Sequence, residues 1–160
     1  EPTYRKWSTE RIQLVDVKDN FRARKQLNVH LRYNLDVKIF MDINQTEDST
    51  NVQLATILDP FTSYSNLNKT TISRAFVNMY FDMVEIKKRQ LETSIQGISD
   101  IKQITKLYTH ANTELIKYSK EYFSETAGGT NKRGMMKWNE YIYKNLRIDN
   151  LELFQVEFKY

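Results

Sequence analysis

The chain has 160 residues, of which 40% are hydrophobic and 28% are charged, a composition typical of a globular domain and not of a disordered or fibrous chain. Its net charge of +4 comes from 24 basic and 20 acidic residues that are interleaved, so the charge favours solubility more than any one partner. There is no cysteine, which excludes disulfides, thiolate catalysis and cysteine-ligated metals. No apolar stretch approaches the roughly 20 residues needed to cross a bilayer, and we therefore predict no transmembrane segment.

The length predicts a single domain over residues 1–160. The chain begins Glu1-Pro2 without a methionine, from which we expect a domain excised from a longer chain or a subunit of a larger assembly. The compartment stays open, with an extracytoplasmic domain of an anchored protein favoured over a cytoplasmic protein.

The first predicted element is a strand over residues 10–17. Apolar and polar residues alternate there with one phase slip between Leu14 and Val15, as a β-bulge or a strand end would leave. The segment that follows, residues 18–26, is polar and basic and predicts a loop.

The strongest pattern is a period of two over residues 27–43, in which every odd position is apolar and seven of the eight even positions are polar. Side chains of a strand point alternately to opposite faces, so the pattern predicts a half-buried strand. This strand is longer than a small domain needs and must bend, bulge or extend beyond the body. A polar turn over residues 45–51 and a strand over residues 52–58 complete a hairpin with unequal arms.

Two long helices are predicted next, over residues 70–96 and 99–123. Apolar residues recur at spacings of four and three in both, beginning with Ile72, Phe76 and Met79 in the first. Thr70 or Thr71 is suited to cap the first helix and Ser99 the second. Gly97 lies between them, and we expect either an antiparallel helix pair or a strong kink there.

Three of the four glycines lie in residues 124–134, which predicts a flexible surface loop. A short helix over residues 135–144 and a strand over residues 146–160 follow. Strands first, helices in the middle and a strand at the end indicate an α+β domain, with a mainly antiparallel sheet packed on two long central helices.

Residues suited to catalysis are sparse. His110 and Glu114 are spaced as neighbours on a helix, which is more typical of a solvated pair than of a metal site. Gly128-Gly129 lacks the Gly-Lys-Ser/Thr ending of a phosphate-binding loop, and no serine lies in a nucleophile turn. We therefore predict no enzymatic activity, no cofactor and no metal ligands.

The function that we expect is a non-enzymatic protein–protein interaction or assembly domain of a larger machine or particle, with a protein partner or a second copy of the chain. A strand longer than its neighbour leaves an edge suited to pairing, and ten tyrosines favour a binding surface. The candidate surface is the polar face of the long strand, with His30, Arg32, Asp36 and Lys38.

Two alternatives stay open. Stripes of Phe, Met and Tyr facing a curved sheet are also typical of a protein that binds a lipid or another apolar ligand between sheet and helices. Nucleic-acid binding is the other alternative, although acidic neighbours disfavour it. Its candidate basic patch comprises Arg22, Arg24, Lys25, Lys87, Lys88 and Arg89.

Overall fold

A computed structural model describes residues 4–13, 33–65, 67–68 and 70–158, and it has the predicted α+β architecture. The main sheet is antiparallel, in the order β1-β4-β3, with β1 at Arg5–Lys6, β3 at Val37–Gln45 and β4 at Thr50–Leu58. A second, two-stranded antiparallel sheet pairs β2 (Tyr33–Asn34) with β5 (Tyr64–Ser65).

Helices form the second half of the chain. They are α1 (Thr71–Ile95), α2 (Ile101–Thr126), α3 (Lys132–Leu146) and α4 (Asn150–Leu153), with a 3-10 turn at Ala127–Gly129. None of the helices in the described ranges has an apolar stretch long enough to cross a membrane.

The long strand predicted over residues 27–43 is divided, as its length required. Its described part consists of β2 and β3, separated by Leu35 and Asp36, and residues 27–32 lie outside the described residues. At Asp36 the chain changes partner: the backbone N–H of Asp36 donates to Ser63 Oγ at 2.8 Å, and its carbonyl accepts from Asp59 N at 2.9 Å. The strand therefore bends where it leaves β5 for β4.

The hairpin of β3 and β4 has equal arms of nine residues, so the predicted unequal arms are wrong. The register runs from Val37 opposite Leu58 to Gln45 opposite Thr50. The turn is tighter than predicted, because Thr46 N donates to Ser49 O at 2.8 Å and Thr46 also bonds the Ser49 hydroxyl.

The strand predicted over residues 10–17 is wrong in its described part, residues 10–13, which form no strand. Ile12 is buried, but its backbone N–H and carbonyl bond the side-chain amide of Asn78 on α1, at 2.7 and 3.1 Å. A side chain of a helix therefore replaces the neighbouring strand that the pattern implied. We call residues 4–13 the N-terminal strap.

The two long helices form an antiparallel hairpin, one of the two arrangements expected at Gly97. Thr70 caps α1 by accepting from Ser73 N, as predicted. The cap of α2 is Asp100, not Ser99, because the Asp100 carboxylate accepts from Lys102 N at 3.1 Å. The helix extends to Thr126, three residues beyond its predicted end.

The glycine-rich segment is packed, not a flexible surface loop. Gly134 lies in the first turn of α3, where an added Cβ would come within 1.9 Å of the Glu125 carbonyl oxygen on α2. Gly129 has a φ of 99° and lies against Ile72 of α1. These glycines permit close backbone approach, and α3 begins at Lys132, earlier than predicted.

The strand predicted over residues 146–160 is wrong in its described part, residues 146–158, since Leu146 ends α3 and residues 150–153 are helical. The buried apolar side chains are Ile148 and Phe154, with half-buried Leu151 between them, a spacing of three that suits a helical turn. Leu153, which a strand would place on the same face as Leu151, is 60% exposed. Asp149 caps the turn by accepting from Glu152 N at 3.0 Å.

The core lies between the inner face of the main sheet and α1, and it continues between α1, α2 and α3. Side chains of α1 are its centre, because Phe76, Met79 and Met83 are completely buried. Tyr122 of α2 stacks on Phe76 with ring centroids 5.4 Å apart, and Trp138 of α3 packs edge-on against Tyr122 at 5.5 Å.

Candidate docking groove beside strand β4

The backbone groups of β4 alternate in direction, and the hydrogen bonds show which of them face outward. Thr56 and Ile39 lie opposite each other, yet the Thr56 carbonyl accepts from Trp7 N at 2.8 Å and the Ile39 carbonyl accepts from the Tyr108 hydroxyl at 2.8 Å. They are thus a pair whose backbone groups point away from each other, and such pairs recur every second residue. The amides and carbonyls of Val52 and Leu54 therefore point to the edge of β4 that is remote from β3.

Only one end of this edge is occupied by the N-terminal strap. Arg5 and Lys6 pair with Leu58 and Ile57, and Trp7 makes the last backbone bond, to Thr56. Beyond Trp7, no strand within the described ranges pairs with β4 on this side. Within the described residues, the edge of β4 from Thr50 to Leu54 therefore has no neighbouring strand.

A groove with a volume of about 430 Å³ runs beside this open edge. Its apolar floor is made by Val52 and Leu54 of β4 together with Ile95 and Ile98 at the end of the α1 hairpin. Its polar rim comprises Thr50, Glu92, Thr93, Gln96 and Gly97.

The groove exists because α1 covers the hairpin unevenly. Inward side chains at the base, such as Ile39 and Leu58, are 1% exposed, whereas Val52 and Leu54 toward the tip are only half-buried. Helix α1 ends at Ile95, and Gly97 turns the chain with a φ of 78° that favours glycine. The Thr50 hydroxyl donates to the Ser99 carbonyl at 3.1 Å and fastens the hairpin to this turn.

A buried carboxylate holds the strap at the closed end of the edge. Asp82 of α1 is 0% exposed and accepts from Trp7 Nε1 at 2.8 Å, Arg11 Nη1 at 2.7 Å and Asn150 Nδ2 at 2.8 Å. Arg11 also donates to Asn150 Oδ1 at 3.0 Å, so the strap, α1 and α4 meet at one carboxylate. Three hydrogen-bond donors, one of them the Arg11 cation, compensate this buried carboxylate for its lost hydration.

A second buried carboxylate lies one helical turn further along α1, toward the groove. Glu85 accepts from the Thr56 hydroxyl at 2.7 Å and from Arg89 Nε at 3.1 Å, and the Arg89 guanidinium lies 5.2 Å from the centre of the Trp7 ring. These contacts fix Trp7 where β1 ends. The boundary between the occupied and open parts of the edge is therefore built from packed side chains.

Burial shifts the ionisation of several groups around the core. It raises the pKa of Tyr122 well above 10.0, with the negative charge of Asp82 adding to the effect, and it raises the pKa of Tyr33, Tyr80 and Tyr141. For Lys88, partial burial lowers the pKa, but hydrogen bonds to Glu92 and Glu85 outweigh it and the pKa is raised.

Two of the four residues of the surface predicted on the long strand, Asp36 and Lys38, are among the described residues. His30 and Arg32 lie outside the described residues. Asp36 and Lys38 form an ion pair of 3.5 Å, and Asp36 also accepts from the Thr62 hydroxyl at 2.5 Å. Lys38 lies on the outer face of β3, opposite Ile57, away from the groove.

Three of the six residues of the predicted basic patch are among the described residues. Arg22, Arg24 and Lys25 lie outside the described residues. Lys87 is 6% exposed, with its Nζ 3.7 Å from the centre of the Tyr118 ring. Lys88 and Arg89 both pair with Glu85. Each of these three cations therefore has a partner within the chain.

His110 and Glu114 lie 3.6 Å apart on the exposed face of α2, which agrees with the solvated pair predicted. Within the described ranges, no group of three or more histidine and acidic side chains is arranged to hold a metal ion.

The groove residues were not identified from the sequence. Val52 and Leu54 belong to the predicted strand, but whether a strand is at an edge depends on the other strands, and no local pattern shows it. Thr93 and Gln96 are ordinary exposed helix residues in the sequence. The one available signal is Gly97, which ends α1 before it can cover the hairpin tip.

No protein-family model matches the chain, and neither the curated proteins nor the solved structures include a significant match.

Proposed function

We propose that the protein is a non-enzymatic interaction domain that binds an extended segment of a partner protein along the open edge of β4. The single observation that carries this proposal is the coincidence of outward-facing backbone groups at Val52 and Leu54 with the groove beside them. Addition of a strand to a sheet edge is a common mode of peptide recognition, in which main-chain hydrogen bonds give affinity and pockets for alternate side chains give specificity.

The groove favours a particular kind of segment. A strand added to β4 directs every second side chain inward, toward Val52, Leu54, Ile95 and Ile98, and those side chains are expected to be apolar. The rim is polar, and its one acidic side chain, Glu92, is paired with Lys88 at 2.5 Å. The partner segment is therefore expected to alternate apolar and polar residues without a strong charge.

The two alternatives receive less support. In the described part of the chain, completely buried side chains such as Phe76 and Met83 occupy the centre of the core between sheet and helices, which does not favour an apolar ligand there. Lys87, Lys88 and Arg89 make contacts within the chain, so binding phosphates would require them to exchange partners.

The test is selection of random twelve-residue peptides on the immobilised full chain, followed by measurement of Kd for the peptides selected. We expect alternating apolar residues in those peptides. Thr93 is an exposed rim residue whose hydroxyl donates to Arg89 O at 3.1 Å. The change Thr93→Arg places a long side chain across the groove and should weaken binding about tenfold or more, equivalent to about 1.4 kcal/mol.

A matched control is available on α2. Thr113 is also an exposed helix residue, and its hydroxyl donates to Thr109 O at the same distance, 3.1 Å. The change Thr113→Arg should leave Kd unaltered. Failure to select any peptide, or selection of peptides that bind both variants equally well, would contradict the proposal.

A further inference from the structure

The other edge of the main sheet belongs to β3, and its backbone directions are equally defined. Because the Ile39 carbonyl faces away from β4, so do the backbone groups of Val37, Met41 and Ile43, which alternate with it. In the described part of the chain β3 is the last strand of the sheet on this side. A row of unpaired backbone groups is a template for another strand.

The side chains on the outer face of β3 are complementary to the same side chains on a second copy of the chain. Lys38, Phe40 and Asp42 succeed one another on this face, and Phe40 is 54% exposed although it lies in the middle of a strand. A second copy of β3 placed antiparallel, with a two-fold axis at Phe40, sets Lys38 opposite Asp42 of the other copy, and the reverse. The two Phe40 rings then lie directly opposite each other, a favourable cross-strand pair.

This register also allows backbone hydrogen bonds between the two copies. With the axis at Phe40, Ile39 lies opposite Met41 of the second copy and Val37 opposite Ile43, and all four have backbone groups that face outward. The Ile39 carbonyl already accepts from the Tyr108 hydroxyl at 2.8 Å, and its second lone pair is suited to a further hydrogen bond.

Neighbouring registers are unfavourable. An axis at Lys38 sets two lysines opposite each other, and an axis at Asp42 sets two aspartates opposite each other; like charges at directly opposed positions are destabilising. An axis at Ile39 or Met41 also pairs outward-facing groups with one another, but it sets Phe40 opposite Lys38 or Asp42, so no opposite charges meet within β3. An axis between two residues would require outward-facing groups to bond groups that are already paired with β4. Among axes from Lys38 to Asp42, only the one at Phe40 sets Lys38 opposite Asp42, and the charge pattern therefore favours that register.

We propose that the chain forms a homodimer by antiparallel pairing of β3 with β3 of a second copy, centred on Phe40. The dimer joins two sheets into one and brings the exposed Phe40 rings of the two copies into contact. It leaves the β4 edge free in each copy, so it is independent of the peptide-binding function proposed above. Each is tested by a separate measurement.

The test is sedimentation equilibrium of the full chain with charge reversals on the outer face of β3. The change Asp42→Lys sets lysines opposite each other at two symmetric positions, and we expect it to weaken the dimer about tenfold or more. Lys38→Asp should have a similar effect. The double variant Lys38→Asp with Asp42→Lys restores opposite charges at both positions and should recover the dimer.

Asp48 is a matched control, because it is exposed in the turn between β3 and β4 and takes no part in the register. The change Asp48→Lys alters the net charge of the protein as Asp42→Lys does and should leave the dimer constant unaltered. Circular dichroism verifies that each variant is folded. The proposal is overturned if the wild-type chain sediments as a monomer at millimolar concentration, if neither single reversal weakens the dimer, or if the double variant fails to recover it.

Discussion

Asp82 is the residue at which both ends of the described chain meet. It accepts hydrogen bonds from Trp7 and Arg11 of the strap and from Asn150 of α4, and it is completely buried. Removal of one partner from a buried ion pair leaves an uncompensated charge, which costs more than the pair itself contributes.

The change Asp82→Asn should therefore lower the free energy of unfolding by about 3 kcal/mol, because the Arg11 cation loses its counter-charge. Urea unfolding followed by circular dichroism measures this effect. Asp48→Asn, at an exposed turn residue, is the control and should be neutral within about 0.5 kcal/mol. An equally small effect for Asp82→Asn would mean that the strap is not held as described.

Two glycines allow a comparison of close packing with backbone conformation. An added Cβ at Gly134 meets the backbone of Glu125, whereas at Gly97 it meets nothing within 4 Å. Gly134→Ala forces α2 and α3 apart and should cost about 3 kcal/mol in urea unfolding. Gly97→Ala should lower the free energy of unfolding by only about 1 kcal/mol, because the positive φ of Gly97 disfavours alanine. A larger effect at Gly97 than at Gly134 would refute the tight helix crossing.

At the scale of elements, the contact between α1 and α2 is defined by buried tyrosines. The Tyr122 hydroxyl donates to the Phe76 carbonyl at 2.5 Å, and Tyr80 bonds Ser119 at 3.2 Å. Burial raises the pKa of both tyrosines above 10.0, so the folded protein holds these protons more tightly than the unfolded chain.

The raised tyrosine pKa values determine how the stability depends on pH. The stabilising contribution is fully present below about pH 10, the ordinary tyrosine pKa, and is lost as the pH rises toward the raised values. We expect the free energy of unfolding to decline above about pH 10 and the decline to be smaller in Tyr122→Phe. Tyr143→Phe, at an exposed ring, should decline as the wild type does. Identical declines in the wild type and Tyr122→Phe would contradict this account.

The elements that were predicted correctly are those with long periodic patterns. The stripe that includes Ile72, Phe76 and Met79 extends over seven helical turns, and both long helices were found near their predicted ends. The period of two runs from Val37 to Ile43 in β3 and defined the hairpin. A long pattern predicts secondary structure reliably because many side chains must all fit a single period.

Short patterns failed for two physical reasons. Around Leu151 the few apolar residues fit both the period of two of a strand and the period of three of a helical turn. The helical turn forms there, and the side chain of Asp149 caps it. Around Ile12 the pattern predicted a strand, but the hydrogen-bond partner of this buried residue, Asn78, lies 66 residues away on a helix. The groove depends on where the strap leaves β4 and where α1 ends, and only the folded arrangement determines both.

At the scale of the whole molecule, one hairpin supplies two distinct edges. The strap closes the base of the β4 edge and leaves its tip beside the groove, while the β3 edge faces the opposite direction. Partner binding and self-association therefore need not compete.

The most direct test of the central claim is residue-resolved amide hydrogen exchange along β4, in the free protein and with a selected peptide bound. We expect fast exchange at Val52 and Leu54 in the free protein and slow exchange at Gln53 and Ala55, whose amides face β3. Peptide binding should slow Val52 and Leu54 and abolish the alternation. Slow exchange at Val52 and Leu54 in the free protein would contradict the account, because the edge would then already be covered.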